Sequence, residues 1–292
     1  MSLLSVIIIN FNTFNLTCSC IGSIKLHTTG IDFEIILVDN ASTECDPALF
    51  LERFPDIKLV TSNFNLGFSR GNNLGIKHSN GDVILLLNSD TELITDSLSH
   101  CYHYLKTVGY PIVLTCKLIY PDGRIQFQCT RFPNIYSTLI GLFKLHKVIG
   151  REKRSDLFLG NYFNHEERIE PDAIWGTFFM FQKAELLKLP GEKLDDQFFM
   201  YVEDLKWCYD FKKAGVRIVY LPDTKVIHHQ GSSSNSDFRM DQNTKNEFLF
   251  VRQTKGRLYQ FFYSLARAAN FLIFFNKLGL RLAVNAFKNI NC

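Results

Sequence analysis

Five aliphatic residues in a row, Val83-Ile84-Leu85-Leu86-Leu87, lie between the turn signal Asn80-Gly81-Asp82 and the polar tip Asn88-Ser89-Asp90. A run this short, without polar alternation, reads as a strand buried on both faces, which a parallel sheet covered by helices provides. Two further runs repeat the pattern: Val6-Ile7-Ile8-Ile9 ends on Asn10-Phe11-Asn12, and Ile35-Ile36-Leu37-Val38 ends on Asp39-Asn40-Ala41-Ser42-Thr43. In open α/β sheets the crevice beyond the carboxyl ends of the strands holds ligands, so these polar tips are the first place to look for chemistry.

Between the strands the sequence predicts helices over 15–27 and 47–53, a third strand over 57–61, and a helix opened by residues 63–76 and running to His78. Strand and helix alternate as in a doubly wound nucleotide-binding half. The glycines in Gly67-x-x-x-Gly71-x-x-x-Gly75 follow the third strand and fit neither the dinucleotide fingerprint nor a phosphate loop, so nicotinamide hydride transfer and P-loop chemistry lose support. Beyond Asp90 the pattern gives a helix over 96–106, a strand over 112–118 and a turn at 120–124. Residues 125–170 show no sustained period and are expected to form a variable, partly mobile insertion. A strand returns over 174–181, and a helical stretch over 183–189 breaks at Pro190-Gly191. An amphipathic helix then runs from Glu203 through Leu205, Cys208, Phe211 and Ala214 to a Gly215 cap, followed by a strand over 216–221.

Several residue pairs could carry chemistry. Asp90 at a strand tip suits a hard divalent cation bridging to phosphate oxygens, although such an acid is commonly a solvated cap. His228 could supply a second ligand, which would favour Mn²⁺ over Mg²⁺; the adjacent His229 is equally eligible on physics alone. Glu203 and Asp204 occupy the first turn of a helix, where acids favour the macrodipole, or where one of them serves as a general base. Asp39 and Asn40 are placed to meet a base and ribose, and Asn65, Gly67 and Arg70 could present amides and a cation to phosphate.

Together these pieces resemble the family-2 inverting glycosyltransferases of the GT-A fold, especially the rhamnosyltransferase-like branch that builds bacterial surface polysaccharides. The resemblance covers about residues 4–235. It is carried by residues 6–12, Ile36-Leu37-Val38-Asp39-Asn40-Ala41-Ser42, Asn65-Leu66-Gly67-Phe68 through Asn73-Leu74-Gly75, Asn88-Ser89-Asp90, Phe199-Met200-Tyr201-Val202-Glu203-Asp204, and His228-x-x-Gly231-x-Ser233. It implies a mostly parallel, Rossmann-like central sheet flanked by helices, with a C-terminal helical extension. It also implies Asp204 as catalytic base beside Glu203, Asp90 and His228 as ligands of Mn²⁺ or Mg²⁺, and Asp39 against a pyrimidine nucleotide. Asn10, Asn12, Asn40, Asn65, Gly67, Arg70, Asn73, Asn88, Ser89 and Asp90 complete the donor-side candidates. Trp175, Gly176, Thr177 and Tyr201 are the acceptor-side ones. Asn88-Ser89-Asp90 departs from the Asn-Pro-Asp common in that branch. The implied reaction moves a sugar from a nucleoside-diphosphate donor, dTDP-rhamnose or a UDP-sugar, to a hydroxyl of a growing, lipid-linked glycan.

Length and composition set the remaining expectations. With 292 residues and 46% hydrophobic content, the chain supports a catalytic domain over 1–240, with a nucleotide half over 1–118 and an acceptor half over 171–240, and a tail over 241–292. Eight scattered cysteines suggest neither a disulfide framework nor a zinc site, and Met1-Ser2-Leu3-Leu4-Ser5 has no basic leader region, so a cytoplasmic location is expected. The net charge of +3 is uneven. From Lys245 onward eight bases face one acid, a balance of +7, and residues 1–244 carry 24 bases against 28 acids, or −4. The tail interleaves Phe248, Phe250, Tyr259, Phe261, Phe262, Tyr263, Phe271, Phe274 and Phe275 with Arg252, Lys255, Arg257 and Arg267, and its apolar runs are too short for the ~20 residues of a membrane span. It suits either an interfacial anchor on an anionic membrane at the inner face of the plasma membrane or packing, against the catalytic domain or in a homodimer. A nucleotidyltransferase, the rival enzyme class, would have a basic Gly-rich loop after the first strand, where Asn10-Phe11-Asn12-Thr13 stands. A membrane- or nucleic-acid-binding module would explain the tail alone, and no nucleic-acid partner is expected.

Overall fold

The computed structural model describes residues 3–230 and 236–272, together with Val284. In chain order the elements are β1 (Leu4–Asn10), α1 (Phe14–His27), β2 (Phe33–Asp39), α2 (Leu49–Arg53), β3 (Lys58–Thr61), α3 (Gly67–Lys77), β4 (Val83–Asn88), β5 (Thr91–Leu93), α4 (Ser97–Thr107), β6 (Ile112–Ile119), β7 (Cys129–Thr130), α5 (Ile135–Leu142), α6 (Arg151–Phe158), β8 (Ala173–Ile174), β9 (Phe178–Gln182), α7 (Glu203–Lys213), β10 (Arg217–His228), α8 (Ser236–Lys255) and α9 (Arg257–Leu272). The chain divides into two compact units. One comprises residues 1–129, 164–199 and 203–233, the other 130–163, 200–202 and 234–292.

The first unit is built on an eight-stranded sheet in the order β3-β2-β1-β4-β9-β6-β10-β5. β1 pairs in parallel with β2 and β4, and β10 with β6, whereas β9 runs antiparallel between β4 and β6. The aliphatic runs that mark the strands in the sequence are largely enclosed: Val6, Ile7, Ile8, Val83, Leu85 and Leu86 expose nothing, and Ile9 is half-buried. Each such side chain contributes about 1.5–3 kcal/mol on burial, so the centre of the sheet is the stable platform of this unit. The chain leaves β1 toward β2 and β3 on one side and returns to the other at β4, so the order reverses between β1 and β4 and opens a crevice at their carboxyl ends.

The glycine triplet of α3 serves packing. A Cβ on Gly75 would lie 2.3 Å from Ile7 Cγ2, and one on Gly71 would lie 3.0 Å from Ile9 Cδ1, so the four-residue spacing gives the helix a bare stripe against β1. β10 continues past Pro222 to His228, beyond the strand end expected at 221, because a bulge between Leu221 and Lys225 absorbs the proline. In the stretch 183–189 the structure has a 3₁₀ helix, Lys183–Lys188, rather than an α-helix.

The second unit is helical. Its segment without sequence periodicity folds into α5 and α6, with Asn134 capping α5 by accepting from Ser137 N at 2.8 Å. α5 is tied to α9 by Asn270 Nδ2 donating to Thr138 O and by Ile135 N donating to Tyr259 Oη. Of the tail aromatics, Phe248, Phe250, Tyr263 and Phe271 are buried in this unit, Phe261 and Phe262 remain exposed, and Phe274 and Phe275 lie outside the described residues. No helix among the described residues is long and apolar enough to cross a membrane.

Candidate active site

The crevice is shaped first by a hydrogen-bond network at the ends of β1 and β2. Asn10 and Asp39 are register partners; Asn10 Nδ2 donates to Asp39 Oδ1 and to Ser42 Oγ, both at 2.8 Å, and its Oδ1 accepts from Thr13 and Thr17. Asp39 Oδ2 also accepts from Ser42 N. Asn40 links to the loop before α3, donating to Asn65 Oδ1 and Gly67 O and accepting from Leu66 N. Asn12 and Ala41 have left-handed backbones at φ 54° and 63°, and Asn12 is held by Ser42 and Thr43. Asn10, Asn12, Asn40 and Asn65 thus spend their polar atoms on loop geometry. Asn73 is similarly occupied, bonding in both directions with the Leu194 backbone. Arg70 is exposed on α3 and pairs with no described residue.

β4 delivers the second group. Asn88 N donates to Thr177 O at 3.0 Å, and its side-chain Nδ2 reaches Thr177 Oγ1 at 3.4 Å, leaving Oδ1 buried without a partner among the described residues. A buried amide oxygen in that state is an acceptor awaiting a donor. Ser89 Oγ meets Thr13 Oγ1 at 3.2 Å and so joins the β1 and β4 loops.

The antiparallel register that pairs His228 with Thr91 sets His228 beside Asp90. His228 Nε2 lies 3.3 Å from Asp90 Oδ1, and both side chains are largely buried. His229 faces the other way, toward Glu92. Gln126, which no sequence signal marks, orients His228: its Nε2 donates to His228 O at 2.8 Å, so its Oε1 accepts from Nδ1–H at 2.7 Å. That leaves Nε2 facing a carboxylate, an arrangement completed by a proton or a metal ion between the two. The donor set, one carboxylate and one imidazole, suits a divalent ion that takes its other ligands from phosphate oxygens or water. Among the described residues no third His, Cys, Asp or Glu joins them.

Asp204 stands at the start of α7. Its Oδ2 accepts from Gly176 N at 3.2 Å and its Oδ1 from Leu205 N at 2.8 Å. Gly176 is required here, because a Cβ would lie 2.9 Å from Phe68, whose ring stacks on Trp207. Burial raises the pKa of both acids above the ordinary carboxyl range. For Asp204 the two backbone N–H groups oppose that rise. Glu203 is pushed well above by burial and by the neighbouring Asp204 charge, and its Oε2 has no partner among the described residues. Of the two, Glu203 is the weaker acid, and Asp204, with its two N–H donors, is the one better able to carry the negative charge.

The tripeptide Trp175-Gly176-Thr177 links these groups. Thr177 holds Asn88, Gly176 holds Asp204, and the Trp175 ring lies edge-on to His228 at 6.5 Å. Tyr201 belongs to the second unit, where it and Val202 have φ of 69° and 74°. Asn246 Nδ2 donates to the carbonyls of Met200 and Tyr201, another contact with no marker in the sequence.

Known proteins resemble this chain in sequence and in fold. The model of "Glycosyl transferase family 2" matches residues 5–183. The chain is 23% identical over 219 residues to an N-acetylglucosaminyl-diphospho-decaprenol L-rhamnosyltransferase of Mycobacterium tuberculosis, covering 70% of this chain and 68% of the relative. It is 26% identical over 185 residues to rhamnosyltransferase WbbL of Escherichia coli K12, covering 59% of this chain and 64% of the relative. Among solved structures, the mannosyltransferase PcManGT of Pyrobaculum calidifontis, in complex with GDP-Man and Mn²⁺, superposes with a TM-score of 0.60 at 13% identity, covering 99% of this chain and 86% of that one.

Proposed function

The chain belongs to glycosyl transferase family 2, and on that premise we propose that it transfers a sugar, with inversion, from a nucleoside-diphosphate donor to a hydroxyl of a lipid-linked glycan. The donor is dTDP-rhamnose or a UDP-sugar, and the rhamnosyltransferase names of two relatives favour the first. The observation that carries the reading is the tripeptide 175–177, which holds a base, an orphan amide oxygen and the flank of an Asp–His pair around one crevice.

Asp204, ionised and fixed by two N–H groups, accepts the proton of the acceptor hydroxyl as its oxygen bonds to the anomeric carbon. The bond from that carbon to the diphosphate oxygen breaks in the same step, so one displacement inverts the centre without a covalent enzyme intermediate. Asn88 Oδ1 accepts a hydrogen bond from a sugar hydroxyl, and Asp39 faces the nucleotide. Asp90 and His228 would hold Mn²⁺ or Mg²⁺, which supplies positive charge to the departing diphosphate. Trp175 is an acceptor contact. The enzyme works at the cytoplasmic face of the membrane, where a lipid-linked acceptor is found.

The test is incubation with dTDP-rhamnose and a panel of UDP-sugars, using N-acetylglucosaminyl-diphospho-polyprenol as acceptor. NMR of the product should show the anomeric configuration opposite to that of the donor. Retention would overturn the single displacement, and no transfer from any donor would overturn the substrate class.

A further inference from the structure

α5 and its C-cap turn three large apolar side chains outward. Tyr136, Leu139 and Phe143 recur at the i, i+3, i+7 spacing of one helical face, and Tyr136 and Phe143 are 61% and 66% exposed. The chain then turns at Lys144, with φ 53°, and continues the exposed series with Leu145 and with Val148 at 83%. Thr138, across the helix from this stripe, and Ile140, at its edge, are buried. A face of this kind on a folded protein marks an interaction surface.

Its charge identifies the partner. Residues 143–154 hold Lys144, Lys147, Arg151, Lys153 and Arg154 against Glu152 alone, a balance of +4. Lys144, Lys147, Arg151 and Lys153 are exposed, and none forms an ion pair with a described residue. Exposed aromatic and aliphatic side chains interleaved with lysines, on a short helix and the turn after it, are what an anionic bilayer interface binds. The rings and aliphatic groups enter the headgroup boundary while the ammonium groups meet lipid phosphates. A soluble protein partner of acidic character would satisfy the lysines and leave Val148 and Phe143 without an apolar counterpart.

We propose that residues 136–153 form a docking surface for an anionic lipid bilayer, and that this segment, rather than the buried aromatics of α8 and α9, anchors the protein at the membrane. The proposal is independent of the sugar-transfer reading, because binding is measured without substrates.

The experiment is vesicle flotation of the full chain, with phosphatidylcholine alone or mixed with phosphatidylglycerol, at low and high salt. The wild type is expected to float with the anionic vesicles and to release in high salt. Phe143→Ser with Val148→Ser, and separately Lys144→Gln with Lys147→Gln, should each lower the partition coefficient about tenfold or more. Circular dichroism and thermal melts of these surface variants should match the wild type. Phe261→Ser with Phe262→Ser, on α9, serves as the contrast and should retain binding. Failure of the wild type to float, unchanged binding by both patch variants, or loss confined to the α9 variant would each overturn the proposal. So would a dimer in light scattering that the patch variants convert to monomer, since a second copy would then be the occupant.

Discussion

His228 Nε2 lies 3.3 Å from Asp90 Oδ1 although the two residues are far apart in the chain, and Gln126 fixes the imidazole from behind. Asp90→Ala is expected to abolish the cation-dependent part of nucleoside-diphosphate binding. Gln126→Leu, which removes the acceptor for Nδ1–H, should weaken Mn²⁺ affinity about 10–100-fold. Calorimetry with UDP or dTDP, with Mn²⁺ present and after chelation, measures both, and equal affinities in all variants would count against the pair as a metal site.

The two acids of α7 predict distinct pH behaviour. Asp204 must be ionised to act and its pKa is raised by burial, so transfer should decline on the acid side at a higher pH than an ordinary aspartate would dictate. Glu203 stays protonated while Asp204 titrates, so Glu203→Gln should leave that acid limb in place. Stability should respond instead. A carboxyl with a raised folded-state pKa loses stability as pH rises from the ordinary glutamate range toward the folded value, so Glu203→Gln should be the more stable protein at alkaline pH. Melting temperatures across pH check the sign.

Gly67 has φ +75°, and a Cβ there would lie 2.3 Å from the Phe199 carbonyl that accepts from Phe68 N. Backbone cannot yield as a side chain can, so Gly67→Ala should cost about 1–3 kcal/mol in denaturant unfolding. Gly71→Ala meets only the terminal methyl of Ile9 at 3.0 Å and should cost less.

Much of this site was readable because strand tips announce themselves: an aliphatic run ending in Asn88-Ser89-Asp90 or Asp39-Asn40 leaves little choice of element or polarity. Physics alone did not choose between His228 and His229, since neighbours on a strand differ only in face; the family resemblance pointed to His228. The face is set by the register of β10 with β5 after the bulge at Pro222. Gln126 lies in a segment without period. α5 evaded periodicity because its exposed stripe is the apolar one, which inverts the usual signal. The glycine spacing was visible, but its purpose, contact of α3 with Ile7 and Ile9, required the packed structure.

Val202, a β-branched residue at φ 74°, directly precedes Glu203 and Asp204, and the turn at 200–202 is held by Asn246. Asn246→Asp keeps the shape and removes both donors, so it should lower kcat and leave nucleotide affinity unchanged. Loss of affinity with unchanged kcat would instead assign Asn246 to donor binding.

The central claim is that Asp204 takes the acceptor's proton. Release of nucleoside diphosphate from the donor identified for the wild type, measured beside calorimetric binding of that nucleotide, should show Asp204→Asn slower by roughly 10²–10⁴-fold with affinity intact. An Asp204→Asn protein that transfers sugar at the wild-type rate would contradict the account.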